Sequence, residues 1–187
     1  MPLQTTRTIE IGAPPAEVFS WLIEPDKLKA WTDAESKLPV DTSQLRVGYS
    51  LDGTFEAPDG QRQYHFVITA YDPPSALAYE DDYAGGKATV SYRLSESAAG
   101  TQLEAAMSAD TAAPPTTVPD AVKAQLAQLP AMQRQMAEQQ MQTAMQQMQG
   151  YDAGSNPQAV QAWNEKIDAE LARLKTLVEL VQKECAG

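Results

Sequence analysis

The stretch IEIGAPPAEVFSWLIEPDKLKAWT, residues 9–32, changes its hydrophobic period partway through, and that change sets the fold. Residues 5–11 alternate, with Ile9 and Ile11 on one face, as a strand with one buried side does. Gly12-Ala13-Pro14-Pro15 stops the alternation and opens a helix, because proline's fixed φ and missing N–H suit the first helical turn. Val18, Phe19, Leu22 and Ile23 then give residues 16–23 an apolar side. Pro25 ends that helix, and Asp26 is placed to cap a second short one reaching Trp31.

Downstream the period becomes two. Leu51, Gly53 and Phe55 alternate with polar residues up to a turn at Pro58-Asp59-Gly60. Residues 62–71 read as a strand that Asp72-Pro73-Pro74 closes. Leu77, Tyr79, Asp81 and Tyr83 share one parity before a Gly85-Gly86 hairpin turn. Ala88, Val90, Tyr92 and Leu94 make the next alternation, and Ala99-Gly100 turns into Leu103, Ala105 and Met107. Strands at this short spacing, joined by tight turns, predict an antiparallel meander. The last segment has a different period. Val160, Trp163, Ile167, Leu171, Leu174, Val178 and Val181 lie in steps of three and four, one stripe of a long helix. Asn156-Pro157 suits its start. An antiparallel sheet with one apolar face needs such a cover.

Between sheet and helix lies a segment of other composition. It opens with TAAPPTTVP, and its 119–150 portion holds ten Gln, six Ala and five Met. Those are strong helix formers, so residues 119–149 are expected to be helical, with a break near Pro130. Met132, Met136 and Leu129 share one face, while Met141, Met145 and Met148 fall nearly opposite. Two apolar faces favour a partner or dimer arm, and a homodimer through 119–149 is the expectation. A lid over a cavity and an extension of the core are the other readings.

Composition narrows the function. The chain has 187 residues, 25 acidic against 14 basic, and a net charge of −11. Most of the excess lies in residues 1–110, with 17 acidic and 8 basic. That sign repels a phosphate backbone and an anionic lipid surface, so neither nucleic acid nor membrane is the expected partner. No apolar run is long enough for a membrane span. Cys185 is the only cysteine, which fits a reducing compartment, and a start without a secretory signal pattern agrees with a cytoplasmic location. The one histidine, His65, leaves little scope for a catalytic triad or a histidine-rich metal site. Glycine-rich phosphate loops and zinc spacings are absent, so no cofactor or metal is indicated.

The order of elements is one strand, two short helices, a six-strand meander and a long terminal helix. Together with Ala13-Pro14, Val18-Phe19, Asp26 through Leu28 to Trp31, Thr69-Ala70-Tyr71-Asp72-Pro73-Pro74 and Gly100-Thr101, it resembles the START-like (SRPBCC) superfamily. The resemblance covers about residues 4–110 and 157–185 and departs from compact members at 111–156. It implies an α+β helix-grip fold, in which a curved antiparallel sheet wraps a long C-terminal helix and leaves a cavity between them. The whole chain, 1–187, then reads as one such domain, with a helical Gln/Met/Ala-rich insertion at 111–156.

Candidate cavity residues on the inward parities are Trp31, Leu51, Phe55, Tyr64, Phe66, Ile68, Tyr79, Tyr83, Tyr92, Leu103, Met107, Trp163 and Ile167. Taken one at a time, each is equally a plain core residue. As a set they suit an apolar ligand whose polar atoms the tyrosine hydroxyls orient. His65 has the opposite parity and is expected at the surface. Glu80-Asp81-Asp82 reads as a solvated strand edge rather than a cation site. Arg46, Arg62 and Arg93 read as strand residues of the outer face. The leading functional reading is binding of a lipid, sterol or polyketide-like molecule without catalysis. An enzyme of the polyketide cyclase or aromatase type comes second, and a protein-interaction module resembling the Hsp90-activator branch third.

Overall fold

The structure, a computed structural model, describes residues 2–32, 37–57, 60–83, 86–110, 134, 137 and 156–185. The chain enters as β1 (Leu3–Ile11), then α1 (Pro15–Ile23) and α2 (Pro25–Trp31). A 3-10 turn at Thr42–Gln44 leads to β2 (Ser50–Ala57), β3 (Gly60–Asp72), β4 (Ala76–Tyr83), β5 (Gly86–Ser97) and β6 (Gly100–Ala109), and α3 (Pro157–Cys185) ends the fold. The six strands form one antiparallel sheet in the order β1-β6-β5-β4-β3-β2. The meander therefore holds five strands, not six, and β1 completes the sheet by returning beside β6. This is the α+β helix-grip arrangement, a curved antiparallel sheet with a long C-terminal helix.

Local chemistry accounts for the element ends. Pro14 is the N-cap of α1 and Pro15 begins its first turn. Glu24, not Asp26, caps α2, without a side-chain bond; Asp26 lies inside the first turn, where a negative charge meets the positive end of the helix dipole. Asn156 caps α3, its Oδ1 accepting from the Gln158 N–H at 3.0 Å and the Ala159 N–H at 3.3 Å. Gly100 has a φ of 133° and lies so close to Ile11 and Ala13 that a Cβ would stand 2.6 Å from the Ile11 carbonyl oxygen. Only glycine fits there.

Side chains alternate across the sheet, so the registers place whole rows on one face. Thr5, Met107, Val90, Tyr79 and Ile68 are successive partners across five strands. Leu3, Ala109, Ala88, Asp81, Phe66 and Leu51 form a parallel row. The helix covers this face. Ile167, Leu171, Leu174 and Val178 are buried in one cluster with Ile11, Val18, Leu22, Trp31, Leu77, Leu94 and Leu103. Two ties fix its position. Arg7 Nε on β1 donates to Asp168 Oδ1 at 2.5 Å, and the Gly12 N–H donates to Glu179 Oε1 at 2.9 Å. The C-terminal half of α3 therefore lies where β1 ends, and its N-terminal half lies towards Leu3 and Met107.

The helical expectation for 119–149, and the homodimer built on it, falls outside the described residues except at Arg134 and Ala137, which are helical and half-buried. Among the described residues no helix is long and apolar enough to cross a membrane.

Candidate functional site

Aromatic and charged side chains gather on the inner face of the sheet beside the N-terminal half of α3. Trp31, Phe66, Ile68, Tyr92, Leu103 and Ile167 are buried in a single cluster, with Tyr64, Tyr79, Met107 and Trp163 packed against it and partly exposed. Phe66 and Tyr79 pack ring to ring at 5.2 Å, and Trp31 meets Tyr92 edge-on at 6.4 Å. Leu51 stands apart: it sits on β2, the outermost strand, and is exposed. Phe55 pairs with Arg62 and Tyr83 with Tyr64 in the backbone register, while their side chains lie outside the description. The structure thus brings together ten of the thirteen residues chosen on sequence, and leaves Leu51 at the margin.

The polar groups set this region apart from an ordinary core. Tyr79 and Tyr92 are hydrogen-bonded to each other through their hydroxyls. Burial pushes the Tyr79 hydroxyl up to about 12, only partly opposed by the bond to Tyr92, with the Asp81 and Glu170 charges adding to the rise. Burial likewise holds Tyr92 well above the ordinary phenol value, with Tyr79 and Glu170 acting in the same direction. Both phenols stay protonated at neutral pH and act as hydrogen-bonding groups rather than as bases. One mutual bond uses one of their two hydroxyl hydrogens.

Two carboxylates face this pair. Glu170, on α3, is only 8% exposed. Lys166 Nζ, one turn away, lies 3.7 Å from its Oε1. Asp81, on β4, is paired through Oδ2 with Lys37. The Lys37 ammonium also sits 4.1 Å from the centre of the Tyr64 ring, a cation–π contact. Tyr64 in turn occupies the space above Gly53, its cross-strand partner; a Cβ on Gly53 would overlap the Tyr64 hydroxyl. Among the described residues, three buried polar side-chain atoms on β4 and α3 have no hydrogen-bond partner: Asp81 Oδ1, Trp163 Nε1 and Asn164 Oδ1. Such atoms are costly to leave unpaired.

The Glu80-Asp81-Asp82 run is therefore not a solvated edge. β4 lies inside the sheet, Glu80 pairs with Lys87 at 2.6 Å, and Asp81 turns inward. Its parity with Leu77 and Tyr79 carried that information. Glu170 lies three residues after Ile167 and four before Leu174, so helical spacing also places it on the margin of the apolar stripe. Lys37 reaches Asp81 from a loop, and no periodicity marks it. His65 is exposed as its parity requires, with Nδ1 2.7 Å from Asp52 Oδ1. Arg93 is exposed beside Glu104, and Arg46 lies in the loop before β2 rather than on a strand. The opposite face of the sheet carries a solvent-open hollow of about 450 Å³ floored by Ala78, Ser91 and Ala106. Short side chains make that space, and Glu80, paired with Lys87, lines it.

Comparison with known proteins agrees with this architecture. The family model described as activator of Hsp90 ATPase homolog 1-like protein matches residues 12–151. Among solved structures, protein CV1439 from Chromobacterium violaceum is similar at a TM-score of 0.54 and 17% identity, over 94% of this chain and 97% of that one. Protein NE0264 from Nitrosomonas europaea is similar at 0.51 and 16%, over 99% and 97%. DynU16, a protein of the dynemicin biosynthetic locus, is similar at 0.54 and 13%, over 95% of this chain and 47% of its own. At these identities the likeness is one of fold. No curated protein matches the chain.

Proposed function

The chain belongs to the activator of Hsp90 ATPase homolog 1-like family, within the START-like superfamily, and on that premise we propose that it binds an apolar small molecule between the sheet and the N-terminal half of α3. Lipids, sterols and polyketide-like molecules are the candidate classes. The observation that carries the reading is the Tyr79–Tyr92 hydroxyl pair, buried among Phe66, Ile68 and Met107. A core that only had to fill space would be served by phenylalanine, which costs no desolvated hydroxyl. Two protonated phenols with a hydroxyl hydrogen to spare are suited to orienting the polar end of a largely apolar guest.

Native mass spectrometry of the protein purified from its own host tests this. A retained small molecule is expected on the wild type and depleted on the Tyr79→Phe variant. Protein that carries no adduct, and takes none from sterol, fatty-acyl or polyketide-like mixtures, would contradict the reading.

Glu170 favours a second reading. A buried carboxylate beside two phenols could steer a flexible polyketide-like chain towards ring closure by proximity and a few polar contacts, as a cyclase or aromatase does. Turnover of such a chain that Glu170→Gln abolishes, with ligand retention unchanged, would distinguish the enzyme from the binder. A homodimer through residues 119–149 is proposed on the two apolar faces of that sequence. Replacing 115–153 by a Gly/Ser linker should then halve the mass seen in sedimentation, and an unchanged mass would refute it.

A further inference from the structure

The polar atoms of the site constrain the chemistry of the guest. Asp81 Oδ2 is taken by Lys37, while Oδ1 is buried and accepts no hydrogen bond. It needs a donor. A carboxylate guest cannot donate to it and brings a third negative charge to a region that already holds Asp81 and Glu170. Lys37 offers it little, since its ammonium is held by Asp81 and seated over the Tyr64 ring. An ammonium guest can donate, but it brings a second cation against the Lys37 ammonium already on Asp81. A hydroxyl donates without adding charge.

Resting on the ligand-binding reading above, we infer that the guest is an uncharged hydroxylated molecule, a phenol or alcohol on an apolar body, whose hydroxyl donates to Asp81. Fatty acids and other carboxylates are disfavoured at this end of the interior. The Tyr79 and Tyr92 hydroxyls lie on neighbouring strands of the same face and are placed to meet further oxygens of such a molecule.

Three probes with one apolar body separate these cases: 2-naphthol donates and accepts, 2-methoxynaphthalene only accepts, and 2-naphthoate is an anion. Calorimetric titration of the full-length protein should find 2-naphthol bound at least about tenfold more tightly than either of the others, the worth of one hydrogen bond to a charged group. Asp81→Ala should remove that advantage, so that naphthol and its methyl ether bind alike. Equal binding of naphthol and its ether, or a preference for naphthoate, would overturn the inference while leaving the binding site standing. Failure of all three to bind would overturn the binding reading and this inference with it. The wild-type series decides the matter even where Asp81→Ala is too unstable to titrate, and Asp81→Asn then provides the milder variant.

Discussion

Where β1 ends and the C-terminal half of α3 packs, Ile11, Leu174 and Val178 have no solvent exposure and bring only hydrocarbon to the contact. At the other end of the same interior, Tyr64, Tyr79, Asp81, Trp163 and Glu170 mix rings, hydroxyls and charges, and among the described residues Asp81 Oδ1 and Trp163 Nε1 go unpaired. One sheet and one helix thus build two kinds of interior. The first gains stability from dense apolar contact. The second gives up some of that gain to keep polar groups out of water, the trade-off on which the proposed ligand site rests. Even the polar group at the dry end is satisfied: Thr101 Oγ1 donates to the Ala13 carbonyl at 2.6 Å.

The comparison can be broken most severely by removing the helix. Deleting residues 157–187 strips Leu171, Leu174 and Val178 from the dry end and exposes the inner face of the sheet. The truncated chain is expected to lose cooperative unfolding altogether, as seen by circular dichroism and probe binding. A cooperative melt near the wild-type temperature would show that the helix does not complete the core.

Single substitutions sharpen the contrast. Leu174→Ala, at the dry end, should cost about 3 kcal/mol in urea unfolding, because it loses transfer energy and leaves an isopropyl-sized cavity. Tyr79→Phe, at the polar end, should cost about 1 kcal/mol or less, since it removes a hydrogen bond and a buried hydroxyl together. It should nevertheless weaken ligand retention, which Leu174→Ala should not. Equal stability losses for the two would erase the distinction.

The smallest expected effect is alkaline. An unfolded tyrosine loses its proton near pH 10, whereas burial holds the folded Tyr79 hydroxyl up to about 12, and Tyr92 is raised in the same direction. Below pH 10 their contribution is fully present. Between pH 10 and about 12 the unfolded chain releases protons that the folded one keeps, so stability falls as pH rises through that window. The unfolding midpoint of Tyr79→Phe should fall less steeply there than that of the wild type, and parallel slopes would count against a buried phenol.

The dry end was almost wholly legible in the sequence. The stripe from Leu171 to Val178, the parity of Ile9 and Ile11, and the apolar positions of α1 each followed a period that burial enforces. The polar end was legible only in its aromatic half. Tyr64, Tyr79 and Tyr92 sit at inward parities and Trp163 on the helix stripe, and all four pack at the core. Asp81 shares that parity, yet a charge there reads as a surface residue until Lys37 is seen beside it. Lys37 comes from a loop whose path no local pattern fixes, so a contact 44 residues along the chain could not be read from it. The count of strands in the meander also needed the structure, because β1 joins the sheet across a hundred residues of chain.

The central claim is that the polar end holds an apolar guest, and a fluorescence titration with the neutral probe N-phenyl-1-naphthylamine tests it most directly. The account predicts one saturable site on the wild type, bound about tenfold more weakly by Trp163→Ala, the loss of roughly 1.4 kcal/mol of aromatic contact. Fluorescence that rises without saturation, or a Trp163→Ala titration that overlays the wild type, would contradict it.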